Sequence, residues 1–429
     1  MNKKEIYNYC KTLVKKENAE FIYAQSEEEI AEINKYSIEN YKLKIADKLF
    51  IRVIEKNSIG SFSIQDITKE NILNGIKKAK EIAKLKKSEV KFKEFGKNKA
   101  KNKIKFDSKI NNINFSELLE DIKKNLIKEK YITGYLGSIS KNNSDYFYIN
   151  PYTEKENQAY SLYQTTTILT KNKKKSSGDF SSIYTKLNDI NINENFLQAK
   201  INANILMDPE NGTAGEYTLI LTPEITRELM GFIISGTTGD LIQKKESFLH
   251  KDMGKQIFSK NISILEKPHI DYFLGSRIID DEGFKTSEKE IIKKGIFKKP
   301  IYDLYTSIKY KTKPTGNGFL NNNYNPAYTN KIQLAGTKKI NDIISKVKKG
   351  VVVYQILGFN TNKLTTGDFS LTISSGKTIV NGNLNTSITN INITGNFKDL
   401  LKDAYFSKEQ KFFGNSLYSF TIIPKVKLL

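Results

Sequence analysis

The sequence predicts an α+β fold: an N-terminal antiparallel meander with covering helices, a central α+β segment, and a C-terminal β-rich domain of mostly antiparallel sheet. Three observations carry this. Short period-two or apolar runs alternate with turn residues between Phe21 and Ile64. Helical stripes with capping residues flank that stretch and recur further along. From residue 210 onward strand-like runs dominate, several meeting at Lys-Gly or Asn-Gly turns. With 429 residues, 38% hydrophobic and 11% aromatic, the chain can bury more than one core. The expected division is 1–103, 104–209 and 210–429.

Ile6, Cys10, Leu13 and Val14 lie on one stripe of a first helix over Glu5–Lys16. Strands are expected at Phe21–Ala24, Glu29–Ile33, Leu49–Ile54 and Ser61–Ile64, with breaks at Lys56-Asn57-Ser58 and Gly60. Thr68 is placed to cap a helix whose buried stripe is Ile72, Ile76, Ala79, Ile82 and Ala83. A charged linker, Lys86–Lys103, ends this module. Asn114 followed by Glu117 resembles a capping box opening a helix to about Lys128. Strands at Tyr131–Ile139, Tyr146–Ile149 and Ala159–Leu169 come next, then a helical pattern over Asn195–Leu206. In the third region Tyr217–Leu221 reads as a buried strand. Thr222-Pro223-Glu224 then supplies a cap, a first-turn proline and an acid for a helix over Ile225–Ile234. Hairpins are expected at Lys294-Gly295 and Asn381-Gly382. A helix over Lys338–Val347 ends before Gly350 and the strand Val351–Leu357.

The charge is lopsided: 69 Lys plus Arg against 47 acids, a formal net charge of +22. Only Arg52, Arg227 and Arg277 are arginines, whereas fixed recognition of phosphates or base edges favours the planar guanidinium. Lysine joined by abundant Asn and Ile is the mark of an AT-rich genome, so no nucleic-acid partner is expected. The run Lys171–Lys175 reads as a solvated loop. No stretch has the roughly 18 apolar residues of a membrane helix, and the N-terminus lacks the apolar core of a signal peptide. A cytoplasmic location without a membrane partner is the expectation.

Recognisable catalytic constellations are missing. His250 and His269 are the only two histidines, and neither sits in a metal-binding helix pattern; both read as surface or half-buried imidazoles. Cys10, the single cysteine, falls on an apolar stripe and reads as inert packing. Phosphate-loop, dinucleotide and nucleophile-elbow glycine patterns do not occur. Ser374–Lys377 is expected to form a hairpin turn. By composition Asp280-Asp281-Glu282-Gly283 is a solvated turn, although three adjacent carboxylates need partners or water to hold them together.

The order of motifs in the second half resembles the TldD/PmbA (TldE) metallopeptidase family. The motifs are Leu229–Asp240, Lys244–Leu249, Asp280–Thr286, Gly295–Lys298 leading to Tyr302–Ser307, Thr366–Ser370 with Gly376–Gly382, and Gly395–Leu400. The first region is similar to the family's N-terminal meander. The resemblance implies a two-subunit zinc peptidase that trims leader peptides from modified peptides and degrades unfolded segments. In such a pair the TldD-type subunit binds zinc through His-Glu-x-x-x-His and a later cysteine, and the TldE-type subunit lacks these ligands.

Aligned on Gly239-Asp240, the two histidine positions and the glutamate position fall on Met230, Ser235 and Gly231, and no cysteine follows Cys10. A thioether, a hydroxyl and a glycine cannot activate water as two imidazoles and a base would. The resemblance therefore implies a PmbA/TldE-type subunit with no catalytic residue and no metal of its own. Zinc is expected in a TldD-like partner, and an extended peptide as substrate. Asp280, Asp281, Glu282, Gly283 and Thr366, Gly367, Asp368 are the family motifs expected beside the substrate, as turns rather than catalytic groups. A lysine-lined passage would favour acidic or unfolded peptides. Two alternatives stand beside this: a homodimeric peptide-binding module without protease activity, and a basic DNA- or gyrase-associated protein. Asn150-Pro151 occupies the place of an Asn-Ser-x-Gly turn, so that turn is expected to be built differently.

Overall fold

A computed structural model describes residues 1–86, 89–98, 104–319, 326–359 and 362–429. Helix α1 (Lys3–Leu13) opens with a reciprocal capping box between Asn2 and Glu5, and buries Ile6, Cys10 and Leu13. Strands β1 (Ala19–Lys35), β2 (Ser37–Glu55) and β3 (Ser58–Ile64) form the expected meander. The runs Phe21–Ala24 and Glu29–Ile33 are one strand rather than two. The polar stretch between them stays extended because both of its edges are paired, Glu28 facing Lys44 on one side and Glu29 facing Lys141 on the other. Thr68 accepts a hydrogen bond from Asn71 N at 3.1 Å and opens α2 (Lys69–Leu85). Its buried face is Ile72, Ile76, Ala79 and Ala83, whereas Ile82 is exposed.

The second region supplies α3 (Phe115–Asn125), capped by Asn114, then β4 (Ile132–Ile149), β5 (Glu154–Lys171), β6 (Lys175–Tyr184) and α4 (Ile192–Ile205). All six strands belong to one antiparallel sheet of order β3-β2-β1-β4-β5-β6. Residues 1–103 and 104–209 thus contribute halves of a single sheet, joined where Phe21 faces Ile149. Part of the linker Lys86–Lys103, at 87, 88 and 99–103, lies outside the described residues. Its described part is not a solvated tether: Val90, Phe92 and Phe95 are buried with Ile54, Ile59 and Leu304. Two cores back the sheet, one under α1 and α2 around Phe21, Ile51 and Phe147, the other under α3 and α4 around Ile139, Leu162 and Phe196.

The third region forms a 12-stranded mixed sheet. It contains β7 (Glu210–Asn211), β8 (Gly215–Leu221), β9 (Ile264–Glu266), β10 (Lys289–Lys293) and β11 (Ile296–Phe297). Beyond these come β12 (Lys331–Gln333), β13 (Lys349–Leu357), β14 (Asp368–Val380), β15 (Asn383–Thr389), β16 (Ile391–Asn396), β17 (Tyr405–Phe412) and β18 (Ser416–Leu428). Most pairs are antiparallel; β12 with β18, β13 with β8 and β15 with β7 are parallel. Helices α5 (Pro223–Ser235), α6 (Gly239–Gln243), α7 (Leu304–Lys309), α8 (Ile340–Ile344) and α9 (Phe397–Leu400) are attached to this sheet.

Both expected hairpins are present. Lys294 (φ 47°) with Gly295 (φ 76°), and Asn381 (φ 47°) with Gly382 (φ 81°), take the left-handed conformations that two-residue hairpin turns require. Ser374–Lys377 is not a turn but the middle of β14, because its neighbours on β13 and β15 pair across it. No helix among the described residues is long and apolar enough to cross a membrane.

Candidate functional site

Helix α5 carries the positions where the resemblance places a catalytic helix. Pro223 stands in its first turn, and Thr222 precedes it without capping through its side chain. Leu229, Met230, Ile233 and Ile234 point into the main core with Leu219, Leu221, Val351 and Val353. Met230 is completely buried. Gly231 and Ser235 lie four apart on the opposite, exposed face. A Cβ on Gly231 would meet nothing within 4 Å, and Ser235 Oγ donates to Phe232 O at 2.6 Å.

These residues do not fit a zinc ion. Of the three motif positions one is a thioether sealed in the core, one has no side chain, and one is a hydroxyl engaged with its own helix. His250 turns Nδ1 toward Ser247 O at 2.8 Å, and the exposed His269 has Nε2 2.8 Å from Thr286 Oγ1. Cys10 lies in the N-terminal core, where burial pushes its thiol up to about 12. Among the described residues no three of His, Cys, Asp and Glu are grouped to hold a metal.

The acidic motif is buried, not a solvated turn: Asp280 is 1% and Glu282 3% exposed. It joins the two sheets. Glu282 Oε1 accepts from Arg52 Nη1 of β2 at 2.9 Å, and Glu282 Oε2 accepts from Leu304 N at 2.6 Å. Arg52 Nε also donates to Glu20 of β1, whose second oxygen accepts from Tyr148 OH at 2.6 Å. Asp280 is held by the amides of Glu282 (3.0 Å), Phe284 (2.8 Å) and Gly318 (2.8 Å). Asp281 accepts from Arg277 Nη1 at 3.1 Å. Gly283 has φ +81°, and a Cβ there would come within 2.5 Å of Tyr148 OH.

Asn150 closes the turn at Pro151 by accepting from Tyr152 N at 2.8 Å and Thr153 N at 2.7 Å, and it donates to Tyr148 OH at 2.7 Å. Burial, and then the Glu282 charge, push the Asp280 carboxyl well above the usual range. The same two causes raise Asp303, beside Leu304, to about 7. Glu20 is also raised by burial, against the pull of Arg52. The internal partners of Asp280, Asp281 and Glu282 make this motif a joint between sheets.

Thr366, Gly367 and Asp368 form a separate turn beside the end of α5. Gly367 (φ +78°) packs on Phe248, and its carbonyl accepts from Phe397 N at 2.9 Å. Asn396 Nδ2 donates to Thr366 O and to Asp368 Oδ1, both at 2.9 Å. Phe397 packs in turn against Phe232 of α5, ring centroids 4.9 Å apart and the rings tilted by 42°. The structure therefore distributes the predicted residues over two places: Gly367 and its neighbours next to α5, and Asp280–Gly283 at the sheet joint.

A cleft of about 670 Å³ opens between the two sheets at the start of α5. One wall is β6 with Phe180 and Tyr184, backed by Ile201 of α4; the other is β17 with Lys411 and Phe412; Pro223 and Tyr354 form part of the lining between them. Among the described residues β6 pairs only with β5, and β17 pairs in its sheet only with β18. Neither edge is wholly open: on β17, Gly336 N donates to Ser407 O at 2.9 Å and Lys408 N donates to Lys338 O at 2.8 Å, and on β6 the Asp179 carbonyl accepts from Asn202 Nδ2 at 2.8 Å. None of these residues was singled out from the sequence as part of a site. No local signal marks them, since the cleft exists only where two separately folded sheets approach.

A six-stranded antiparallel sheet joined to a 12-stranded mixed sheet that carries α5 defines the class, an α+β protein of two sheets. Residues 214–428 match the family described as PmbA/TldA metallopeptidase C-terminal domain, and the chain belongs to that family. Among curated relatives, it is 27% identical to metalloprotease PmbA of Escherichia coli O157:H7 over 198 residues, 46% of this chain and 42% of that protein. It is 30% identical to a metalloprotease TldD homolog of Buchnera aphidicola (subsp. Acyrthosiphon pisum) over 171 residues, 39% of this chain and 35% of that one. The matches thus span less than half the length of these relatives. The crystal structure of TldE from Thermococcus kodakarensis superposes with a TM-score of 0.87, covering 98% of this chain and 99% of that chain at 20% identity. At that identity the likeness speaks for the fold.

Proposed function

We propose that this chain is the non-catalytic, TldE-type subunit of a two-subunit zinc metallopeptidase, pairing with a TldD-like subunit that carries the zinc and handling extended, unfolded or leader peptides. One observation carries the reading: of the three motif positions on α5 the first is a buried methionine, and the two on the open face are Gly231 and Ser235. Hydrolysis at zinc needs about three protein ligands and a base, and none of the three motif positions supplies one; among the described residues the acids of α5, Glu224 and Glu228, belong to no group that could hold a metal. In this reading the chain contributes a peptide-holding cleft and an interface, and the partner contributes the chemistry.

The experiment is zinc analysis and a peptidase assay on the chain alone, on a TldD-like homologue encoded in the same genome, and on the two mixed. Activity and zinc confined to the homologue and the mixture, with a heterodimer by light scattering, are expected. Stoichiometric zinc or peptide cleavage in the lone chain would overturn the reading.

A further inference from the structure

The cleft between β6 and β17 inverts the charge of the chain. In a protein of net charge +22, its lining holds five carboxylates, Asp179, Asp189, Glu194, Glu224 and Glu409, and one cation, Lys411. Two of these acids are neutralised internally: Glu224 Oε1 lies 2.6 Å from Lys411 Nζ, and Asp189 Oδ2 lies 3.1 Å from Lys186 Nζ. The other three meet only neutral donors. Asp179 accepts from Gln355 Nε2 at 2.7 Å, Glu194 from Gln198 Nε2 at 2.6 Å, and Glu409 from Ile340 N at 3.0 Å. Among the described residues none of the three has an ion-pair partner, despite the abundance of lysine.

Lys411 shows how a cation is held here. Its Nζ sits 3.5 Å from the centroid of the Phe180 ring while pairing with Glu224. That combines a ring face with a carboxylate, the arrangement that binds ammonium and guanidinium groups most firmly. Tyr184, Tyr354 and Phe420 line the same space and offer further aromatic surface beside the unneutralised acids. The 336–338 segment takes β17 at Ser407 and Lys408, and Asn202 takes the Asp179 carbonyl of β6; the remaining edge of each strand supplies main-chain groups for an extended ligand, which fixes its conformation without reading its side chains.

We infer that this cleft binds an extended peptide segment rich in lysine or arginine, by strand addition with basic side chains on the Asp179, Glu194 and Glu409 carboxylates. This rests on the peptide-handling reading above and names the class of peptide. It reverses the acidic preference that a lysine-lined passage would have given, because the bulk charge of the chain is not the charge of the cleft.

The test is fluorescence anisotropy on the full chain alone, without partner or zinc, using labelled alternating Lys/Val, Gln/Val and Glu/Val hexapeptides. The Lys/Val peptide is expected to bind roughly tenfold or more tighter than Glu/Val, with the gap shrinking between ~50 and ~300 mM salt. Asp179→Asn with Glu409→Gln should remove most of that preference. Glu194→Gln on the exposed face of α4 is a second variant that spares the cleft's internal bonds to β13 and α8. N-methylation of alternate peptide amides should abolish binding.

Equal or stronger binding of Glu/Val, or wild-type affinity in both variants, overturns the inference; unchanged binding of the N-methylated peptide overturns strand addition. Self-association lost in the variants would assign the cleft to a second copy instead. Binding here in a chain that fails to pair with a zinc-bearing homologue would sink the subunit reading and leave this one standing.

Discussion

Arg52 of the N-terminal sheet and Glu282 of the C-terminal region meet at 2.9 Å, 1% and 3% exposed respectively, across 230 residues of sequence. The pair fastens the two sheets whose separation further along forms the cleft. Breaking a buried pair by removing one member leaves the other charge sealed away from water, which costs about 3–5 kcal/mol. Arg52→Met is therefore expected to lower the urea midpoint sharply, and to separate the unfolding of the two halves into distinct transitions. Glu282→Gln should cost less, since an amide oxygen can still accept from Leu304 N.

The joint also sets a pH dependence. Asp303 titrates near 7 in the folded chain, raised first by burial and then by Glu282, against about 3.9 when unfolded. The folded state therefore binds the extra proton between these values, and stability from this group is present below pH 4 and lost as pH rises through 7. Asp280 and Glu20, also raised, act in the same direction. Thermal melts from pH 5 to 8 should show a decline on the order of 1–4 kcal/mol, flattened by Asp303→Asn. A wild-type profile that rises over this window would contradict it.

Two glycines should respond oppositely to alanine. At Gly231 the helix is open and a methyl meets nothing, so Gly231→Ala should stabilise by about 0.5–1 kcal/mol. At Gly283 the backbone is left-handed and the methyl strikes Tyr148 OH, so Gly283→Ala should destabilise by roughly 1–3 kcal/mol. Chemical denaturation of the two variants side by side measures both signs.

Cys10, pushed up to about 12 by burial, should be alkylated at pH 8 roughly 10³-fold more slowly in the native chain than in urea. Mass spectrometry of an iodoacetamide time course reads this directly, and fast native labelling would show that α1 opens readily.

Local chemistry was legible in the sequence wherever a few neighbouring residues decide the outcome. The caps at Thr68 and Asn114, the proline start of α5, and the Lys294-Gly295 and Asn381-Gly382 turns all act within four residues of chain. Errors arose where a distant partner decides. Gln25–Glu28 look like a break until β2 and β4 are known to flank them, and Ser374–Lys377 look like a turn until β13 and β15 pair across them. Asp280–Gly283 appear solvated because Arg52, which answers Glu282, lies far away in sequence. The family motifs pointed to α5 and its motif positions, but the carboxylates around Lys411 come from β6, the segment between β6 and α4, α4, α5 and β17 and share no local pattern.

The placement of β1 between β2 and β4 has a consequence during synthesis. The nascent chain makes β1, β2 and β3 early, yet one side of β1 must wait for β4, after α2, the linker and α3 have all been translated. At roughly 5–20 residues per second the ribosome leaves that side uncovered for several seconds. A hairpin so long and so exposed is a template for wrong partners, and the glutamates of Glu27-Glu28-Glu29 lie in that waiting stretch of β1, where like charges would keep two nascent chains from zipping together.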